Sequence, residues 1–302
     1  MHWIRTARSL AAETYAEWSK DKVPRLGAAL AYYTAFSLAP LLLIGISIAG
    51  LFLGQDAAAG RVQDELAVLL GARGAKTVQD MIASAWQPAT GRWSLAVGVV
   101  MLLFGASGVF GQLQDALNTI WEVQPDPHRG IWGTLRDRFF SFVMVLGTGF
   151  LLLVSLLVSA AVGALTDRLG AAGPATSLLA SLLLATGLFA AIFKVLPDAQ
   201  VRWRDVWVGA AATALLFAVG KELLGLYLGR SSVSSSYGAA GSVLVLLLWV
   251  YYAAQILFLG AEFTQVWANR FGGHVQPARG AVPLRPEKRA EEGIPESRAQ
   301  KR

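Results

Sequence analysis

The sequence has no cysteine and little charge. Only 15% of its 302 residues are charged, against about a quarter in soluble domains, and the lack of cysteine excludes disulfides and thiolate metal sites. Its three histidines, His2, His128 and His274, are far apart in sequence, and we find no P-loop, glycine-rich phosphate loop or GxSxG motif. We therefore expect no catalytic residues, no bound metal and no cofactor, and we do not expect an enzyme.

Long apolar runs take the place of these motifs. The chain is 55% hydrophobic, and a membrane-spanning helix needs about 20 mostly apolar residues. The runs predict an all-α integral membrane protein with six transmembrane helices inside a membrane domain of residues 26–271. The predicted helices cover residues 27–54, 93–114, 138–165, 174–196, 206–229 and 240–268.

The distribution of lysine and arginine predicts the orientation, because cytoplasmic flanks are enriched in basic residues. With the N-terminus inside, 19 basic residues fall on the cytoplasmic side and 6 outside. We therefore predict that both termini are cytoplasmic. This placement also explains the net charge of +6 without a nucleic-acid partner.

The two ends of the chain differ from the membrane domain. Residues 1–25 lack the apolar core of a cleavable signal peptide and predict an amphipathic cytoplasmic segment, with Leu10 and Trp18 on the membrane surface. Residues 272–302 are rich in proline, glycine and charge, and predict a disordered basic tail near anionic headgroups.

The connection at residues 56–92 is too long for a plain loop. Val62, Leu66 and Leu69 recur at helical spacing, and Val78 and Met81 repeat the pattern after a glycine-containing break. We expect an extracytoplasmic helical hairpin between helices 1 and 2. It is either a structural lid packed on the bundle or a gate over a cavity.

The second predicted helix continues as a polar segment. Gln112 and Asp115 lie near one face of it by their spacing. They either line a cavity at the inner interface or belong to a solvated helix end.

A lysine and a glutamate interrupt the fifth helix. Its uncharged part, residues 206–220, would span only about 22 Å of a core about 30 Å thick. Extending the helix to residue 229 places Lys221 and Glu222 in the outer half of the bilayer. Neighbouring helical residues point about 100° apart, so we expect that these two do not pair with each other.

Three interpretations of Lys221 and Glu222 remain open: a short helix with both at the outer interface, a structural ion pair with other helices, or a polar cavity for a substrate headgroup. A cavity would suit a phosphate-bearing or zwitterionic amphiphile. The candidate residues of such a substrate path are Lys221, Glu222, Tyr32, Tyr33, Ser37, Gln112, Asp115, Tyr237, Tyr251, Tyr252, Gln255 and Glu262.

Three segments carry a resemblance to a known family: AALAYYTAFSLAPLLLI at 28–44, FGASGVFGQLQDALNTIW at 104–121 and YGAAGSVLVLLLWVYYAAQILFLGAEF at 237–263. Together they resemble the YihY/virulence factor BrkB family of bacterial inner-membrane proteins, over roughly residues 20–270. The resemblance implies a six-helix fold in the plasma membrane and suggested roles in transport, including that of lipids. It supplies no catalytic residues.

Three functions follow from these observations. The first is a transporter-like protein that moves or binds a lipid or another amphiphile. The second is a non-transporting envelope scaffold that binds lipids or partners. The third, a membrane-bound ribonuclease, follows only from an older label of the family and is ranked last, because no suitable base, nucleophile or metal set is present. We expect membrane lipids as partners and no nucleic acid.

Overall fold

A computed structural model gives the architecture. It describes residues 2–54, 59–60, 62–63, 76, 78–79, 108–127, 173–230, 239–291 and 293–295. The predicted helix at 138–165, most of the one at 93–114 and most of the hairpin at 56–92 lie outside these residues.

The described chain is mostly helical. Helix α1 is His2–Lys20, α2 is Val23–Leu53 and α3 covers residues 108–120. Helix α4 is Gly173–Val195, α5 is Trp203–Arg230, α6 is Ala239–Phe271 and α7 is Pro286–Glu291. Four short strands connect them: β1 Val123–Pro125, β2 Ala199–Gln200, β3 Gln276–Pro277 and β4 Ala281–Pro283.

Three of the described helices are long and apolar enough to cross a membrane. Their apolar stretches are Leu178–Val195 in α4, Trp203–Leu224 in α5 and Val243–Phe271 in α6. These stretches match a membrane protein, as the composition predicts. The number six and the orientation of the termini stay predictions.

Helix α6 is the centre of the described packing. It contacts α1, α2 and α5, and α5 in turn contacts α4. The core includes large side chains from separate elements, such as Trp121, Phe193 and Phe258. Because α6 contacts three helices, it links the N-terminal and C-terminal parts of the chain.

Small residues let α5 and α6 approach closely. A Cβ atom on Gly209 of α5 would clash with Thr264 of α6, and one on Gly260 of α6 would clash with Thr213 of α5. Each threonine hydroxyl donates to a carbonyl of its own helix, Thr213 to Gly209 at 2.7 Å and Thr264 to Gly260 at 2.6 Å. Helices in membranes commonly pack through such small residues, since lipid provides little hydrophobic drive between them.

The first helix does more than cover a membrane surface. Leu10 is buried, and Trp18 packs against the main core. Arg270 of α6 donates to Ser9 at 2.9 Å and approaches Glu13 at 3.4 Å. Helix α1 is therefore docked on α6, whereas the sequence predicted only a surface-lying amphipathic segment.

The C-terminal segment differs from the predicted disordered tail. Strand β4 pairs antiparallel with β1, placing Val282 opposite Gln124, and β3 pairs antiparallel with β2. Leu284 and Ile294 are buried. Composition predicted disorder because the segment has little to bury by itself. Its backbone instead finds partner strands in the connections after α3 and α4, which supply the missing hydrogen bonds.

Part of the hairpin region is also packed. Val78 is fully buried and forms a small apolar cluster with Leu246 of α6. Leu38, Leu42, Trp249 and Val250 surround that cluster. At this position the connection contacts α2 and α6. The helical hairpin, as a lid or as a gate, stays a prediction.

Candidate functional site

Lys221 and Glu222 lie on the surface of α5. Their side chains are 44% and 77% exposed, and Lys221 Nζ is 3.9 Å from Glu222 Oε1. The expectation that they would not pair was wrong, because their long, flexible side chains bridge the angle between neighbouring positions. At 3.9 Å the contact is an ion pair without hydrogen-bond geometry.

A small pocket lies beside Lys221, between α5 and α6. We call it the Lys221 pocket. Its empty volume is about 190 Å³, part of it open to the surroundings. The lining residues are Phe217, Lys221 and Leu224 of α5, and Trp249, Tyr252, Ala253 and Ile256 of α6. One cation and one phenol stand among apolar walls in this shallow depression, which is open on one side.

Several tyrosines predicted for the path lie elsewhere. Tyr32 and Tyr33 of α2 are 60% and 43% exposed, with their rings edge to face. Ser37 is buried, and together with Tyr33 it faces Gly108 of α3. This set forms an α2–α3 contact and does not line the Lys221 pocket. Tyr237 lies outside the described residues.

Tyr251 and Gln255 face α2. A Cβ atom on Gly27 would clash with the Gln255 amide, and Tyr251 lies next to the same glycine. The Gln255 amide nitrogen is 3.5 Å from the Val23 carbonyl oxygen, to which it donates. Of the last helix's polar candidates, the structure thus brings only Tyr252 to Lys221.

The polar end of α3 is tied to a neighbouring connection. Asn118 is buried; its amide donates to Asp198 Oδ2 at 3.0 Å and its carbonyl accepts from the Asp198 backbone at 2.8 Å. Gln112 is half-buried. Asp115 is exposed, and Lys288 Nζ of α7 lies 3.9 Å from it. Asp115 therefore borders the C-terminal segment.

A deeply buried cation comes from that segment. Arg289 is 1% exposed. Its guanidinium donates to Asp21 Oδ1 at 2.7 Å, to Glu122 Oε1 at 3.3 Å and to the Pro295 carbonyl at 2.8 Å. Lys20 completes the group, since its ammonium lies 3.5 Å from Glu122. We call Lys20, Asp21, Glu122 and Arg289 the Arg289 cluster.

Local backbone geometry positions this cluster. Helix α1 ends at Lys20, and Lys22 takes a left-handed conformation (φ 53°) before α2 begins. Glu122 has a similar conformation (φ 55°) between α3 and β1. The Leu284 amide donates to the Glu122 carbonyl at 2.8 Å, which brings α7 against both turns. Two turns and a short helix thus converge on one buried guanidinium.

Burial dominates the acid–base behaviour of Asp21. It raises the pKa of this carboxyl to about 6, although the positive charges of Arg289 and Lys20 oppose the rise. The carboxylate thus keeps an ion pair at 2.7 Å and still titrates close to neutral pH, because removing a charge from water costs more than the pair recovers.

Glu262 of α6 is the predicted path residue with the most unusual surroundings. It is 0% exposed, and neither carboxylate oxygen has a hydrogen-bond partner among the described residues. Electrostatic interactions connect it to Asp21, Glu17, Lys20 and Glu122. It therefore belongs with the Arg289 cluster and not with Lys221.

Sequence reasoning missed the residues of the Arg289 cluster. Lys20 and Asp21 fell in a predicted surface segment, and Arg289 in a predicted disordered tail. No sequence signal marks Arg289 among the basic residues near it, because its burial depends on pairing between β1 and β4, which are more than 150 residues apart. In the part of the chain that the structure describes, no three His, Asp or Glu side chains are placed to hold a metal ion.

Comparison with known proteins supplies relatives of uncharacterised activity. The chain is 30% identical over 263 residues to the UPF0761 membrane protein of Pseudomonas aeruginosa strain LESB58, covering 83% of this chain and 62% of that one. It is 32% identical over 172 residues to the UPF0761 membrane protein of Tolumonas auensis, covering 56% of each. The chain thus spans 62% of the length of the first relative and 56% of the length of the second. No solved structure matches it.

The family model for virulence factor BrkB matches residues 14–284. This range contains all described helices except α7 and most of α1, and it includes the strand pairs that hold the C-terminal segment. The match confirms the resemblance carried by the three sequence segments, and the chain belongs to the virulence factor BrkB family of membrane proteins.

Proposed function

We propose that this chain is a transporter-like protein of the bacterial inner membrane that binds and moves a lipid or another amphiphile. One observation carries the proposal: Lys221 and Tyr252 meet in a pocket whose other walls are apolar and which opens to the surroundings of the bundle. A headgroup that carries phosphate would be attracted to the ammonium and accept a hydrogen bond from the phenol. Its chains would stay against the apolar surface.

The depth of the pocket is consistent with a headgroup site. Exposed Trp203 and Trp207 stand at the start of α5, and tryptophan is enriched at membrane interfaces. Lys221 follows 18 residues after Trp203, about 27 Å along a helix, in a hydrocarbon core about 30 Å thick. With both termini cytoplasmic, Lys221 would lie near the outer interface, where lipid headgroups begin.

The exposed apolar side chains of α4 and α5 support a membrane setting for this pocket. Leu183 is 71% exposed, and Leu215 and Leu223 are each 58% exposed. Such side chains match hydrocarbon tails of lipid. A lipid could reach the Lys221 pocket sideways, without passing through the helix bundle.

The second candidate is a lipid-binding scaffold without transport. It is favoured by the shallowness of the pocket, which is open on one side, and by the position of Lys221 on the helix surface. In both candidates we expect lipids as partners and no chemical step at the site. The two differ in whether a bound lipid changes leaflet.

Lipid translocation in proteoliposomes tests the proposal. Purified protein is reconstituted with a fluorescent anionic phospholipid, and a membrane-impermeant reductant bleaches the outer leaflet. We expect bleaching to pass the half-way plateau of protein-free vesicles. Lys221→Gln and Tyr252→Phe should reduce the translocation rate, whereas Arg204→Gln, an exposed cation at the other end of α5, should leave it unchanged.

The outcomes separate the two candidates. If the wild type and empty vesicles reach the same plateau while the protein still retains anionic lipid through Lys221, the scaffold is supported and transport of that lipid is refuted. If Lys221→Gln changes neither lipid retention nor translocation, the Lys221 pocket is not the lipid site.

A further inference from the structure

We propose that Glu262 and the acidic side chains next to it form a proton-binding site at the junction of α1 and α6, covered by the C-terminal segment. This site lies apart from the Lys221 pocket, and the inference does not depend on the lipid function. The ligand is a proton, held by a carboxyl group inside the folded chain.

The first step is the burial of Glu262. Its side chain is 0% exposed and its two oxygens have no hydrogen-bond partner among the described residues. An ionised carboxylate in such a place costs several kcal/mol. The carboxyl can avoid this cost by taking up a proton, which neutralises it at the position where it stands.

The second step is the balance of charge around it. Helix α1 contributes Glu17, Lys20 and Asp21 to the charges that act on Glu262, and the turn after α3 contributes Glu122. Arg289 of α7 is connected to Glu262 indirectly, because it donates to Asp21 and Glu122. Helix α5 contributes uncharged Thr213 beside Gly260, and its Asp205 lies farther along, against Gly272. With Glu262, the junction holds four carboxylates against two cations. Two positive charges are missing for neutrality, and a proton on Glu262 supplies one of them without needing extra space.

The third step is access. Side-chain exposure falls from 25% at Glu122 to 1% at Asp21 and to 0% at Glu262. Exposure therefore decreases in the order Glu122, Asp21, Glu262 across the junction. Burial places the pKa of the Asp21 carboxyl at about 6, so this neighbouring group changes its protonation state close to neutral pH.

The C-terminal segment completes the site. Arg289 occupies the space between Asp21 and Glu122 and donates to both. It donates to these two carboxylates, and among the four carboxylates of the junction Glu262 has no cationic hydrogen-bond donor in the described structure. A proton on Glu262 therefore neutralises the carboxylate of the junction that neither Arg289 nor Lys20 reaches by a hydrogen bond.

Infrared spectroscopy of the full-length protein in detergent tests the proposal, because a protonated carboxyl has a carbonyl stretch separate from that of a carboxylate. We expect a protonated-carboxyl band at pH 7 that shifts on exchange into heavy water. Glu262→Gln should remove about one carboxyl equivalent of this band. The matched control Glu287→Gln, an exposed carboxylate on α7, should retain it.

A second variant keeps the test decisive if Glu262→Gln folds poorly. Lys20→Gln removes a cation that acts on Glu262 and leaves Arg289 in place. The band should then persist to a higher pH than in the wild type. No band at pH 7, a band unaffected by Glu262→Gln, or a titration unaffected by Lys20→Gln would each overturn the proposal.

A metal cation is the remaining occupant to exclude. Thermal unfolding would be followed in potassium, sodium and choline chloride at one ionic strength. A specific stabilisation by sodium or potassium that Glu262→Gln abolishes, together with a missing protonated-carboxyl band, would assign the site to that ion and refute the proton. Equal melting temperatures in the three salts are expected.

Discussion

Two groups of charge on the same bundle stand in opposite surroundings. In the Arg289 cluster, Asp21 and Arg289 are each 1% exposed and 2.7 Å apart. On α5, Lys221 and Glu222 are 44% and 77% exposed and 3.9 Å apart. Each pair has one cation beside one carboxylate, but the Asp21–Arg289 pair is buried and the Lys221–Glu222 pair is exposed.

The difference shows that the burial of a charged side chain determines its structural role. The presence of the charge in an apolar run of the sequence does not. A buried pair is costly to form and more costly to break, because a lone partner stays behind without water. An exposed pair keeps most of its solvation and contributes little. The Arg289 cluster can therefore hold a segment in place, whereas Lys221 stays available to a ligand.

The largest expected effect is that of Arg289→Ala. The variant leaves Asp21 and Glu122 without the guanidinium, and removing one partner of a buried pair costs about 3–5 kcal/mol. We expect hydrogen exchange at the Leu284 amide, which is bonded to Glu122, to accelerate a hundredfold or more, since each 1.4 kcal/mol is a factor of ten.

Arg279→Ala is the control, because Arg279 is an exposed cation of the same segment. It should change exchange at Leu284 by less than a factor of about three. If the two variants behave alike, the Arg289 cluster does not hold the segment, and the contrast with Lys221 is lost.

A smaller effect is expected from the α5–α6 contact that lies between the two regions. Gly260→Ala puts a methyl group into Thr213, and such overpacking costs about 1–3 kcal/mol. We expect a lower melting temperature in detergent and disturbance of both the Glu262 region and the Lys221 pocket, since both depend on α6.

Gly187→Ala on α4 provides the matched control. A Cβ atom there meets none of the described residues within 4 Å, and alanine favours a helix over glycine. This variant should keep or slightly raise the melting temperature. A loss as large as that of Gly260→Ala would mean that general helix effects, and not the close α5–α6 approach, set the stability.

The pH dependence of stability gives the next effect. The pKa of Asp21 is about 6 when folded, above its ordinary value of 3.8, so folding favours the protonated form. Its contribution is fully present below about pH 3.8 and is lost as the pH rises through about 6. The slope is at most about 1.4 kcal/mol per pH unit.

The quantity to measure is the difference in melting temperature between the wild type and Asp21→Asn across pH 4 to 8. We expect this difference to favour the wild type more at pH 4 than at pH 7. A difference that does not vary with pH would show that Asp21 titrates in the folded protein as it does in the unfolded chain.

The sequence predicted part of this architecture. Apolar runs predicted a helical membrane protein because their length and composition carry the signal locally, and three described helices match it. The docking of α1 and the strands and short helix of the C-terminal segment could not be predicted in this way. Both depend on contacts with distant segments, such as the Arg289–Asp21 pair and the β1–β4 strands.

The same reasoning explains the mixed outcome for the candidate site. Lys221 and Glu262 stood out because each is a charge in an apolar run. Local hydropathy cannot say whether such a residue faces lipid, water or another helix. The structure places Lys221 on the surface beside Tyr252 and buries Glu262 against α1, so one list of path residues divides into two places.

The smallest expected effect belongs to Lys221 and Glu222. Because both are largely exposed, a double-mutant cycle with Lys221→Ala and Glu222→Ala should give a coupling energy below about 1 kcal/mol. Stability is measured by chemical unfolding in detergent, at low and high salt, and the coupling should fall as salt screens it.

This small stability effect sharpens the functional assignment. A residue that contributes little to folding but lines a pocket should, when replaced, change lipid retention more than it changes stability. A coupling energy of several kcal/mol that resists salt would mean that Lys221 and Glu222 are shielded as the Arg289 cluster is. The pair would then hold helices together, and a lipid headgroup would have no free ammonium to bind there.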